Sequence, residues 1–202
     1  VINAFISDKA EWIQKQVHKA RHVRTVLDAK KYQDGEEFLF LGNKYPLRVV
    51  EKDVKRGTLD FDGRQWRAVI GCGLSQEARH DLLEKKMIQW YREQAKELVG
   101  GRVFYFSRMI GIEPLRIEVR TQKRIWGNCD PRTKTIHINW QVILSPLPVI
   151  DYIVVHELCH LRVPNHSRRF WQKVENILPD YKAQKQWLKT HAREMLLPGQ
   201  LG

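Results

Sequence analysis

Between positions 156 and 166 the chain reads His-Glu-Leu-Cys-His-Leu-Arg-Val-Pro-Asn-His, and this run constrains it more than any other. On an α-helix, residues four apart leave the same face one turn apart, so His156 and His160 can converge on one metal ion. Glu157 is rotated by about 100° from His156, which lets it reach a metal-bound water without being a ligand. Three protein ligands with a fourth position open is the catalytic pattern for zinc, and His166 is the candidate third ligand. Pro164 and Asn165 can end the helix so that His166 turns back. His166 has a second reading as a capping or solvent-facing residue, because Asn165, His166 and Ser167 also stand where a following helix must start. The expectation is a Zn2+ site on His156, His160 and His166, with Glu157 as the catalytic residue.

The helix that carries this motif has to be central. Ser145 and Pro148 introduce it, and Ile150, Ile153, Val154, Leu158 and Leu161 make it apolar over most of its circumference. A chain of 202 residues can bury one good core, or one core with a small appendage.

Ahead of the motif the pattern changes twice. Ser7 can cap a first helix through Trp12, Ile13 and Val17. From Glu36 to Ile70 short strands follow, with Phe38–Leu41 and Leu47–Val50 flanking Gly42-Asn43, and with 59–61 and 65–67 flanking Asp62-Gly63. Ser75 opens a long helix expected to close near Val99 at Gly100-Gly101, with a shorter helix from Val103 to Ile110 ending at Gly111. Alternation predicts strands at 115–120 and 135–140, where His137 reads as an outward-facing polar residue and not as a ligand. Two helices, near 167–178 and 180–197, close the chain around Pro179. The expected fold class is α+β. The expected division is an N-terminal helix and β-rich unit over 1–71 and a metal-binding domain over 72–202.

Lys plus Arg number 35 against 23 Asp plus Glu, a net charge of +12. That surface should attract polyanions, although no block of five or six basic residues occurs, so nucleic acid or nucleotide binding and plain solubility both remain open. Cys72, Cys129 and Cys159 cannot all pair and form no Cys-x-x-Cys, which fits a reducing, cytoplasmic setting. No apolar run approaches the ~20 residues of a membrane span, and no signal peptide is expected.

Trp126-Gly127-Asn128-Cys129, the strand ending Ile138-Asn139-Trp140, the run Tyr152–His160, Asn165-His166-Ser167 and Phe170-Trp171 together resemble the YgjP-like metal-dependent hydrolases. These are bacterial members of the zincin metallopeptidase clan, related to the SprT-like and minigluzincin groups. The resemblance spans nearly the whole chain and is most specific from Arg120 to Trp171. It implies a zincin-like domain in which the metal helix packs on a small antiparallel or mixed sheet. It also implies His156, His160 and His166 as zinc ligands, Glu157 as general base, and further strands ahead of the first helix. The chain departs from the family at Asn128, where serine is usual. Val163 also replaces the turn glycine of the metzincins, whose ligand spacing is the same.

The implied activity is a zinc metallopeptidase acting on peptides or unfolded protein. Glu157 would deprotonate the water that attacks the carbonyl, and the strand at 136–140 would hold an extended substrate. Tyr152, Tyr181, Arg168 and His191 are all open as donors to the developing oxyanion. Two other functions stay open. One is phosphoanhydride hydrolysis, as of a nucleoside triphosphate, with Arg162, Arg168, Arg169 and Lys173 holding phosphate. The other is a nucleic-acid-associated protease or binding module in which zinc is structural.

Overall fold

The computed structural model describes residues 30–122 and 125–195. The first helix expected from Ser7 lies outside them, whereas the last helix, expected to run to 197, ends at His191.

The chain from Lys31 to Met195 forms one compact unit, and the division expected at residue 71 falls inside it. Its first sheet contains β1 (Glu37–Phe40), β2 (Asn43–Lys52), β3 (Thr58–Phe61) and β4 (Trp66–Gly71), in the order β1-β2-β4-β3. β1 and β2 form a hairpin in which Phe40 faces Asn43. The intervening pair is therefore Leu41-Gly42, and both residues have positive φ, 48° and 81°. Two left-handed residues match the twist of a tight hairpin. Glycine at 42 is required twice over, because a Cβ there would also lie 2.6 Å from Cγ of Pro146. The Leu41 and Gly42 amides donate to the carbonyls of Ile143 and Leu144, so the hairpin tip braces the segment that leads into the metal helix.

Ser75 caps α1 (Gln76–Ile110) by accepting a hydrogen bond from the Ala78 amide. This is one helix of 35 residues, not the two expected on either side of Gly100-Gly101. Two glycines cost helix stability. They do not break this helix because Leu83, Met87, Tyr91, Ala95, Val99, Val103 and Phe106 continue a single buried stripe through them. The stop comes at Gly111, left-handed at φ 68°, as expected.

An aromatic cluster joins the first sheet to α1 and to a short 3-10 turn, Trp140–Leu144, that is buried throughout. Trp66 packs edge-on against Trp90, with centroids 4.6 Å apart, and Tyr91 stacks at 6.1 Å on Trp140.

The second sheet contains β5 (Arg116–Arg120), β6 (Gly127–Asp130) and β7 (Thr135–Asn139), ordered β5-β7-β6. β5 runs parallel to β7, and β6 antiparallel to it. The 136–140 segment expected to receive a substrate is thus internal to the sheet. Its edges are β5 and β6, and β6, the edge nearer the metal helix, is a strand that the sequence did not suggest. Gly, Asn and Asp are poor strand formers, so β6 owes its conformation to pairing with β7 and not to local preference. On this sheet lies α2 (Leu147–His160), followed by α3 (Arg168–Ile177) and α4 (Tyr181–His191). A paired Arg102–Asp151 contact, at 2.5 and 2.8 Å, ties α1 to α2. The architecture is α+β, and no helix among the described residues is long and apolar enough to cross a membrane.

Candidate metal centre

α2 presents His156 and His160 on one face, as the four-residue spacing requires. After His160 the chain turns, with the amides of Arg162 and Val163 both donating to the Cys159 carbonyl. Asn165 Oδ1 then accepts from the Ser167 amide at the start of α3. The turn returns His166 to the face of α2, so this residue joins the pair instead of serving only as a cap.

The three Nε2 atoms converge. His156 and His160 are 3.1 Å apart, His160 and His166 3.2 Å, and His166 and His156 3.0 Å. Two ligands at about 2.1 Å in a tetrahedral shell stand roughly 3.4 Å apart, so the triad is close to the spacing that a zinc ion needs. The donor chemistry fits as well. His160 Nδ1 lies 3.0 Å from the Val163 carbonyl, which places the proton on that nitrogen and leaves the Nε2 lone pair directed inward. Burial, then the neighbouring imidazoles, push His156 down to about 3, so it is neutral near neutral pH and its lone pair is free.

Phe170 is the hub that fixes these rings. It is fully buried and stacks on His160 at 4.4 Å, with His156 at 4.8 Å and His166 at 5.0 Å. Trp171 stacks on His166 at 5.5 Å, and Tyr152, one turn before His156 on α2, meets it edge-on at 5.7 Å. The sequence offers Phe170 and Trp171 only as parts of a motif. Their position on α3, one turn beyond His166, is the signal for this packing role.

Glu157 sits beside the triad and not within it. It is 5% exposed, its Oε2 has no hydrogen-bond partner among the described residues, and burial pushes its carboxyl up to about 8. Its side chain lies over Gly127 of β6, where an added Cβ would be 2.7 Å from Oε1. The carboxyl is thus held between the metal helix and the edge strand. Asn128 accepts a side-chain hydrogen bond from Gln122, and Cys129 is partly buried with its thiol pushed up to about 12, mainly by desolvation.

The remaining residues singled out in the sequence divide clearly. His137 stands opposite Glu118, at 2.9 Å across β7 and β5, and does not join the triad. The His191 ring stacks on Trp187, with Nδ1 2.9 Å from its carbonyl. Arg162 donates to the Gly111 carbonyl, and Arg168 and Arg169 are exposed.

The family model described as YgjP-like, metallopeptidase domain, matches residues 1–191. The chain belongs to the YgjP-like metallopeptidase family. Membership implies a catalytic metal, and the histidine triad is the one metal-competent cluster found among the described residues. Two solved structures are similar in part. The metallopeptidase zymogen abylysin of Pyrococcus abyssi is 24% identical over 46% of this chain and 92% of its own, with a TM-score of 0.43. The zymogen jannalysin of Methanocaldococcus jannaschii is 23% identical over 47% and 88%, with a TM-score of 0.41. No curated protein matches the chain.

Proposed function

We propose that this metallopeptidase is a zinc enzyme in which His156, His160 and His166 hold the ion and Glu157 is the general base. The convergence of three Nε2 atoms within 3.2 Å of one another, beside a buried carboxyl, is the observation that carries this reading. A zinc ion held there would supply Lewis acidity, polarising the scissile carbonyl, acidifying water and favouring the charged form of the nearby carboxyl.

The chain's own residues do the rest. Glu157, pinned against Gly127, accepts the proton of the attacking water and later delivers it to the leaving amine. Phe170 and Trp171 hold the imidazoles in place and exclude water from their far side. The outer edge of β6, unpaired with any other strand among the described residues, supplies backbone donors and acceptors on which an extended peptide can pair as an added strand, and Gly127 places that edge against Glu157. Tyr152, beside His156, is the neutral donor best situated for the oxyanion.

The test is Glu157→Gln assayed on denatured protein. The variant should retain its metal, since the residue is not a ligand, and turn over at least about 10²-fold more slowly. Wild-type turnover would remove Glu157 as base, and loss of metal would make it a ligand. Cleavage of a nucleoside triphosphate but of no peptide would move the chain to the phosphoanhydride reading.

A further inference from the structure

Beside the triad lies a cavity of about 600 Å³, lined by Trp126, Tyr152, Tyr181, Lys182, Lys185 and Lys189 among others. It adjoins the candidate centre on two sides. Tyr152 is one turn from His156 with rings 5.7 Å apart, and Tyr181 stacks at 5.4 Å on Trp171, which stacks in turn on His166. Trp126 immediately precedes β6, so the cavity opens at one end of the edge strand. A peptide paired along that edge past Glu157 would direct a side chain into it.

The charge in this cavity is one-sided. Among the described residues three lysines line it and no carboxylate does. Lys182 is already held by Glu175 at 3.1 Å. Lys185 has its ammonium 3.9 Å from the Trp171 ring centroid, a contact that fixes its position without neutralising its charge. Lys189 follows it by four residues on α4, and like charges at that spacing repel. A helix face that keeps two such cations over an aromatic wall, beside a reactive centre, is complementary to an anion. Tyr181 adds a phenol group that can donate to it.

We propose that this cavity is a specificity subsite for an acidic substrate side chain, so that cleavage falls at a fixed position relative to aspartate or glutamate. The inference rests on the peptidase reading above, and its test separates the two. The zinc-loaded Glu157→Gln protein is titrated with peptides of fixed sequence, each carrying a single Glu or Gln at successive positions, and binding is followed by fluorescence anisotropy. At one position the Glu peptide should bind about tenfold more tightly than its Gln counterpart. The double charge reversal Lys185→Glu with Lys189→Glu should invert that preference in favour of a Lys peptide. The milder pair Lys185→Gln with Lys189→Gln should make Glu and Gln peptides equivalent.

Equal binding of Glu and Gln peptides at every position would overturn the subsite, as would a preference that survives both lysine pairs. So would a nucleoside triphosphate held more tightly than every acidic peptide and released by the same substitutions. Wild-type cleavage of denatured protein without acidic preference would leave the peptidase reading standing and the subsite refuted. Acid-selective binding without any wild-type cleavage would do the reverse.

Discussion

Gly127 and Glu157 fit together only because one of them has no side chain: a Cβ on Gly127 would lie 2.7 Å from Oε1 and 2.8 Å from Cγ of Glu157. The contact joins the edge strand of the second sheet to the metal helix at the carboxyl that the chemistry requires. With no hydrogen-bond partner on Oε2 among the described residues, this packing does much to decide where the carboxyl points.

Gly127→Ala should therefore act on catalysis more than on folding or metal binding. The added methyl displaces a side chain that can swing, at a cost of about 1–3 kcal/mol for overpacking, and leaves the three imidazoles untouched. Turnover should fall about tenfold or more with KM little changed, since a misplaced base weakens the transition state and not the bound substrate. Steady-state kinetics with zinc content measured on the same preparation checks this. An alanine variant with full turnover would show that the seat is not needed.

The metal site should tolerate loss of its histidines unequally with loss of their packing. His156→Ala, His160→Ala and His166→Ala should each lose most of the zinc. Phe170→Leu, which keeps an apolar side chain but removes the ring faces against all three imidazoles, should weaken zinc affinity by about tenfold. Competition with a chromophoric chelator gives these affinities. Unchanged affinity in His166→Ala would return that residue to a capping role.

Chelation should lower Tm without abolishing the cooperative transition. Zinc that binds only the folded state stabilises it through mass action, but Trp66, Tyr91 and Trp140 belong to a core that does not depend on the metal. Thermal unfolding with and without chelator measures the difference. A chain that loses its structure altogether on chelation would have a structural site.

Gly100→Ala and Gly101→Ala should each raise stability by about 0.5–1 kcal/mol. Both positions are inside α1, and a Cβ at either would meet nothing within 4 Å. Denaturant unfolding of the single variants decides it, and destabilisation would mean that the glycines serve a contact made elsewhere.

These glycines also show what a sequence can and cannot convey. The triad is legible because helical spacing alone brings His156 and His160 together, and Pro164-Asn165 announces the turn that returns His166. The break expected at Gly100 does not occur because local propensity speaks of an isolated helix, whereas Val99 and Val103 are buried on one continuous stripe. Strand β6 leaves no local signal at all. Its residues are poor strand formers, and its conformation comes from pairing of Gly127 with Ile138 and Asp130 with Thr135 across the sheet. The cavity beside it is equally hidden, since Trp126, Tyr152 and Lys185 meet only in the fold.

That hidden strand carries the last prediction. If a substrate pairs along the outer edge of β6, its backbone amides will alternate between facing the strand and facing away, as in any added strand. Methylating a substrate amide that faces β6 removes a hydrogen bond and adds bulk at the pairing edge, while methylating its neighbour leaves the pairing intact. A series of peptides, each N-methylated at one position outside the scissile bond, should thus lose kcat/KM with a period of two residues, by about tenfold at each sensitive amide. Uniform sensitivity, or none, would mean that substrates are held by side chains alone and that the edge of β6 is not the binding platform.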